Sequence, residues 1–175
     1  ENEVLAVAQS ADGHLWFGTS GGLVRYNGTN LKRIDDRPQP TVPPMTRDDR
    51  IQVLLPTRDG TLWIGTGGNG LAWMRDEAFG VFERHKELPG DIQALAEDTQ
   101  GRLWIGTTGG LFCWDGKTLG EIGHPTNTAM EAVADLLPEP DGSIIVGWRD
   151  GPPLRWDGNK CHLLIPERQL PLGAG

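Results

Sequence analysis

One short motif returns four times along the chain, and this recurrence limits the folds open to it. HLWFGTSGGLVRYNG runs from His14 to Gly28, TLWIGTGGNGLAW from Thr61 to Trp73, and RLWIGTTGGLFCWDG from Arg102 to Gly116. A worn copy, SIIVGWRDGPPLRWDG, runs from Ser143 to Gly158. The glycine closing the first strand of each copy falls at Gly18, Gly65, Gly106 and Gly147, at spacings of 47, 41 and 41 residues. A unit of about 40 residues holding four short strands is the sequence form of a propeller blade. A β-sandwich or barrel leaves the fixed offset unexplained. Helix finds little support, because turn dipeptides interrupt any period near 3.6.

Each copy is preceded by a further strand: VLAVAQSADG, IQVLLPTRDG, IQALAEDTQG and VADLLPEPDG. A β-branched residue opens each one, at Val4, Ile51, Ile92 and Val133, and an apolar residue follows at Val7, Leu54, Leu95 and Leu136. The other parity carries Ala6, Ala8, Val53, Leu55, Ala94 and Ala96. Apolar residues on both faces predict an inner strand held between neighbouring blades. Asp135 breaks that pattern in the fourth copy. The pairs Asp12–Gly13, Asp59–Gly60 and Asp141–Gly142 predict hairpin turns, with Gln100–Gly101 in the third copy. Trp16, Trp63 and Trp104 share one register and predict wedges between blades, with Ile145 taking that place in the last copy.

The expected fold is all-β, a propeller of about four four-stranded blades at residues 1–36, 48–86, 89–123 and 129–166. The segment Asp36 to Arg47 holds four prolines and reads as a long loop. Each blade is whole in this phasing, so no split outer strand latches the two ends. Three closures are compatible with that: part of a larger ring, an eight-bladed dimer, or four blades closing alone. An open array exposes an apolar blade face at each end, which favours self-association.

A formal net charge of −8 makes nucleic acid or an anionic membrane surface a poor partner. No apolar run approaches the roughly 20 residues of a membrane span, and no signal peptide is visible. Membrane attachment is therefore expected only through segments absent from this sequence. The two cysteines, Cys113 and Cys161, fall in separate strands and read as separate thiols. His14, His85, His124 and His162 occupy different blade positions, so no metal site and no catalytic triad can be built from them. The expectation is a non-enzymatic chain without a cofactor.

A functional site should break the repeat. Trp148, Arg149 and Asp150 do so where other copies carry Thr and Gly, offering a stacking ring, a donor fork and an acceptor. That set suits a carbohydrate or another polar small ligand. Arg47, Asp48, Asp49 and Arg50 precede the second inner strand and are expected near the same rim, with Arg47 and Asp49 as candidate ligand contacts. By contrast, the GG pairs at Gly21, Gly67 and Gly109 read as tight turns, since no Lys-Ser/Thr follows to complete a phosphate loop. Asn27–Gly28–Thr29 fits a glycosylation pattern, and the hairpin turn is the favoured reading.

The motif resembles the two-component regulator propeller repeat, in which a leading strand is followed by D-x-x-G-x-L-W-I-G-T, then G-G-L and an aromatic residue. Asp12 to Tyr26, Asp59 to Met74 and Asp98 to Trp114 carry the resemblance, the second with one extra residue. The family's first Asp, three residues before the glycine, lands on Asp98; in the first two copies the Asp stands beside the glycine instead. The resemblance implies the sensor portion of a bacterial histidine kinase, hybrid regulator or diguanylate cyclase. It also implies a periplasmic or extracellular position, with any kinase or cyclase activity outside this chain. The rival expectation is a structural or protein-interaction propeller without a small ligand.

Overall fold

A computed structural model describes residues 3–34, 50–76, 78–82, 87–123 and 132–164. Its 16 strands form four antiparallel sheets of four, each a simple meander. Blade one holds β1 (Val4–Gln9), β2 (Leu15–Thr19), β3 (Gly22–Tyr26) and β4 (Leu31–Arg33). Blade two holds β5 (Ile51–Pro56), β6 (Leu62–Thr66), β7 (Leu71–Arg75) and β8 (Ala78–Val81). Blade three holds β9 (Ile92–Glu97), β10 (Leu103–Thr107), β11 (Gly110–Trp114) and β12 (Leu119–Ile122). Blade four holds β13 (Val133–Pro138), β14 (Ile144–Trp148), β15 (Leu154–Trp156) and β16 (Cys161–Leu163). This is the expected blade propeller. The proline-rich segment Asp36 to Arg47 lies outside the described residues.

Consecutive blades stack through their inner strands, β1 on β5, β5 on β9 and β9 on β13. The antiparallel register sorts each blade into two faces. Val7 pairs with Phe17 and faces the preceding position, whereas Ala8 pairs with Trp16 and faces the following blade. We call these the leading and trailing faces. The trailing Trp16 packs with the leading residues Ile51, Leu54, Leu62 and Ile64 of blade two. Trp63 likewise packs with Ile92, Leu95, Leu103 and Ile105, and Trp104 with Val133, Leu136, Ile144 and Val146. The tryptophans are thus inter-blade wedges, as their common register predicts. T-shaped contacts of Phe82 with both Trp63 and Trp114 add to the second joint, at centroid distances of 5.8 and 5.2 Å.

The repeated glycine explains how closely the blades approach. A Cβ added at Gly18 would lie 2.6 Å from Cγ2 of Ile51; at Gly65, 2.6 Å from Cγ2 of Ile92; at Gly106, 2.5 Å from Cγ1 of Val133. The β-branched residue opening each inner strand is therefore a key, and the preceding blade's glycine is its socket. Three joints result, each with its own apolar core. A closed ring of four blades would require a fourth joint between blades four and one. Among the described residues the faces that would form it stay open: Val4 is 53% and Val7 61% exposed, against 0–8% for their counterparts in the other blades. Among the described residues the four blades form an open array.

The β1–β2 type turns are locked by acids. Asp98 is fully buried and accepts from the backbone amides of Gln100 and Arg102, from Nε of Arg102 at 2.6 Å, and from Nε1 of Trp104 at 2.9 Å. Burial alone would raise its pKa; the Trp104 and Arg102 hydrogen bonds and the Arg102 charge outweigh it and hold the carboxyl below 3.8. In blade one Ser10 occupies the aligned position. Its hydroxyl oxygen accepts a hydrogen bond from Trp16 Nε1 at 2.8 Å, and the hydroxyl donates to Asp12 at 2.5 Å. One buried acid in blade three is thus replaced by a hydroxyl and a displaced acid in blade one. Blade two repeats the substitution with Thr57 and Asp59.

Candidate functional site

The rim bearing the β2–β3 type turns carries the most irregular chemistry. At this rim the residue after each second strand donates its backbone amide to the residue before the inner strand. The bonds are Ser20 to Glu3, Gly67 to Arg50, Thr108 to Asp91 and Arg149 to Ala132, all 2.8–3.0 Å. The repeat therefore fixes the backbone of Arg149, and only its side chain is new.

Inner strands carry a register shift at the same place in every blade, between Val4 and Ala6, Ile51 and Val53, Ile92 and Ala94, and Val133 and Asp135. A bulge of this kind re-aims the side chain it carries. The bulged residues are Leu5, Gln52, Gln93 and Ala134. Gln93 donates through Nε2 to Oε1 of Gln52 at 2.7 Å, and Arg149 donates to Oε1 of Gln93 at 3.2 Å. Gln52 in turn donates to Asp91 at 3.4 Å. A polar run thus crosses blades two, three and four, ending on an exposed guanidinium. Gly67 makes room for it, since a Cβ there would collide with the Gln52 amide.

Of the residues singled out in sequence, Arg149 and Asp150 are exposed on this rim. Trp148 is 7% exposed and sits in the core between blades three and four. It occupies the place of Thr19, Thr66 and Thr107, whose hydroxyls close tight turns onto the carbonyls of Gly22, Gly70 and Gly110. Without that hydroxyl, and with Pro152 and Pro153 following, the β14–β15 pairing stops at Val146 and Leu154. The turn is correspondingly wider. The ring of Trp148 thus serves packing rather than an open stacking surface. Arg47 and Asp49 lie outside the described residues. Arg50, beside them in sequence, reaches Glu3 at 3.9 Å.

Gln52 and Gln93 went unread in the sequence. The signal for them was the pair Ile–Gln opening two inner strands, an amide at one register of an otherwise apolar strand. Their meaning depends on the bulge, which periodicity does not reveal.

Among the described residues, the opposite rim holds clefts between blades. One, of about 500 Å³, lies between Trp63 and Trp114 and is bordered by Arg58 and Glu97. Another, of about 370 Å³, is bordered by Asp12, His14, Arg25 and Arg75. Their polar side chains already have partners: Arg58 pairs with Glu97 at 3.2 Å, Arg75 with Asp59, His14 shares a hydrogen bond with Asp12 at 2.6 Å, and Arg25 lies over the Trp16 ring. The Asp12 carboxyl is lowered to about 2, chiefly by the Ser10 hydroxyl and despite some burial. Asn27 accepts the amides of Thr29 and Asn30, the hairpin turn favoured above. Cys113 and Cys161 are free thiols, and burial raises Cys113 to about 11, far from the reactive range. Among the described residues no group of three or more His, Cys, Asp or Glu could hold a metal ion. No helix there is long and apolar enough to cross a membrane.

Comparison with known proteins bears out the resemblance read from the motif. The family model for the two component regulator propeller matches residues 1–21, 47–68 and 86–109. These segments hold the first two strands of blades one to three. No curated protein matches the chain. The extracellular domain of BT3049 from B. thetaiotaomicron, described as a hybrid two component system, superposes with a TM-score of 0.70 at 23% identity. The match covers 89% of this chain and 22% of that one. Virginiamycin B lyase from Staphylococcus aureus gives a TM-score of 0.71 at 13% identity, over 91% of this chain and 54% of that one. The computationally designed Ika4 protein gives 0.65 at 15% identity, over 89% and 91%. These likenesses establish the fold. The chain spans about a fifth of the length of the sensor domains it resembles.

Proposed function

We propose that this chain is a non-catalytic recognition propeller, the extracytoplasmic input part of a bacterial signal-transduction receptor. Its rim, built from Gln52, Gln93, Arg149 and Asp150, takes a polar small ligand of carbohydrate type. The observation that carries this reading is the run of side-chain hydrogen bonds from Gln52 through Gln93 to Arg149. Two amides and a guanidinium are held in fixed orientation across three blades, and the cation at the end is exposed. Such a set donates and accepts in alternation, as a hydroxyl-bearing ligand requires. Nothing in the repeat demands Arg149, since Ser20, Gly67 and Thr108 fill the same backbone position. The sensor reading is supported by the family match and by the extracellular sensor domains that share the fold. Ligand contact at this rim alters how blades or chains sit relative to one another and so biases an output domain beyond this sequence.

The test is binding of the chain to a panel of neutral and acidic oligosaccharides. Arg149→Ala should weaken binding to the best panel member about tenfold or more with the fold intact, the scale of one charge-assisted contact. A panel that yields no binding, or an Arg149→Ala chain that binds unchanged, would sink the rim assignment.

A further inference from the structure

Among the described residues, both halves of the blade joint are present without a partner blade at the two ends of the array. On the leading face of blade one the key residue Val4 is 53% exposed, and Val7 beside it is 61% exposed. Their counterparts Ile51 and Leu54, Ile92 and Leu95, and Val133 and Leu136 are each 8% exposed or less. Leu15 and Phe17 complete this face and are only partly buried, where Leu62 and Ile64, Leu103 and Ile105, and Ile144 and Val146 are at most 3% exposed. On the trailing face of blade four the socket Gly147 is empty. The three atoms nearest to a Cβ there all belong to its own blade's Asp135, at an ordinary 3.7–3.9 Å, whereas the other three sockets are filled by the next blade. Beside it Leu137 is 59% exposed, at the register where Ala8, Leu55 and Ala96 meet a following blade. Asp135, on the same face, turns its carboxylate back onto the Leu136 amide at 2.8 Å.

We propose that the chain pairs with a second copy of itself, head to tail, the leading face of one blade one seating on the trailing face of the other's blade four. The occupant is identified by continuity with the joints already in the chain. The free face of blade one offers the β-branched key that three sockets in this chain accept, and the free face of blade four offers the glycine that three keys enter. Each copy has one of each, so a two-fold arrangement satisfies both ends with two equivalent joints and leaves neither apolar face in water. The polar rim of each copy then continues into the next copy's blade one.

Light scattering across a concentration series tests this on the 175-residue chain. The expected mass is twice 19.1 kDa. Val7→Lys and Leu137→Lys change exposed residues on opposite faces, so each should fold and weaken self-association at least tenfold. Mixed together, the two variants still hold one intact joint, and association should return. Pairing of like faces gives a different result: one variant stays dimeric and mixing rescues nothing. That outcome, or a wild-type chain that stays monomeric throughout, would overturn the proposal.

Discussion

Blades three and four follow one plan but are embedded differently. Blade three is covered on both faces. Its trailing Trp104 is fully buried, its Gly106 receives Val133, and its Asp98 is sealed inside the turn network. Blade four is covered on its leading face only. Ile145 stands in place of the tryptophan, Gly147 receives nothing, and Leu137 is open. The position of Asp98 holds Glu139, which pairs with Arg155 at 2.6 Å near the surface instead of being sealed inside the turn. The same residue position thus carries different weight depending on whether a blade follows it. Where packing ceases to constrain blade four, the sequence departs from the repeat, and Arg149 arises within that departure.

The comparison yields measurable contrasts. Trp104→Ala empties a fully buried joint and should destabilise the chain by about 3–5 kcal/mol, whereas Ile145→Ala, at a half-covered site, should cost about 1 kcal/mol; urea unfolding of both gives the ratio. Asp98→Asn removes a buried charge that accepts four hydrogen bonds and should cost about 2–3 kcal/mol. It should also alter the acid response. Because the folded pKa of Asp98 lies below 3.8, its stabilisation is complete above that value and is lost as pH falls below it. The Asn variant should therefore show a flatter stability profile below about pH 4. Asp141, exposed at the matching turn of blade four, should give a much smaller change when substituted by Asn. Arg149→Ala should leave stability within about 0.5 kcal/mol of wild type while weakening rim recognition about tenfold or more. A large stability loss there would mean that Arg149 serves the fold instead.

Much of this architecture was legible in the sequence because it repeats. The four blades follow from the recurring LWIG motif, and the tryptophan wedges from a large ring at one register. The key and socket were present as separate facts, a β-branched residue at Val4, Ile51, Ile92 and Val133 and a glycine at Gly18, Gly65, Gly106 and Gly147. Their contact joins different sheets, so spacing within one repeat cannot show it. The site was legible only in part. Arg149 and Asp150 stood out as departures from the repeat and lie exposed on one rim. Trp148 stood out for the same reason and is packed inside, since burial depends on the blade next door. The two glutamines were missed because a bulge, not periodicity, turns them toward the rim.

The central claim is that a glycine socket matters only where a blade fills it. It is tested most directly by making one substitution twice, Gly106→Ala and Gly147→Ala, and comparing thermal unfolding of the two chains with self-association measured alongside. Gly106→Ala should unfold at markedly lower temperature, having lost about 1–3 kcal/mol of stability, because the new methyl meets Val133. Gly147→Ala should keep a folded, cooperative chain and lose only association. Equal destabilisation of the fold by both substitutions would contradict the claim.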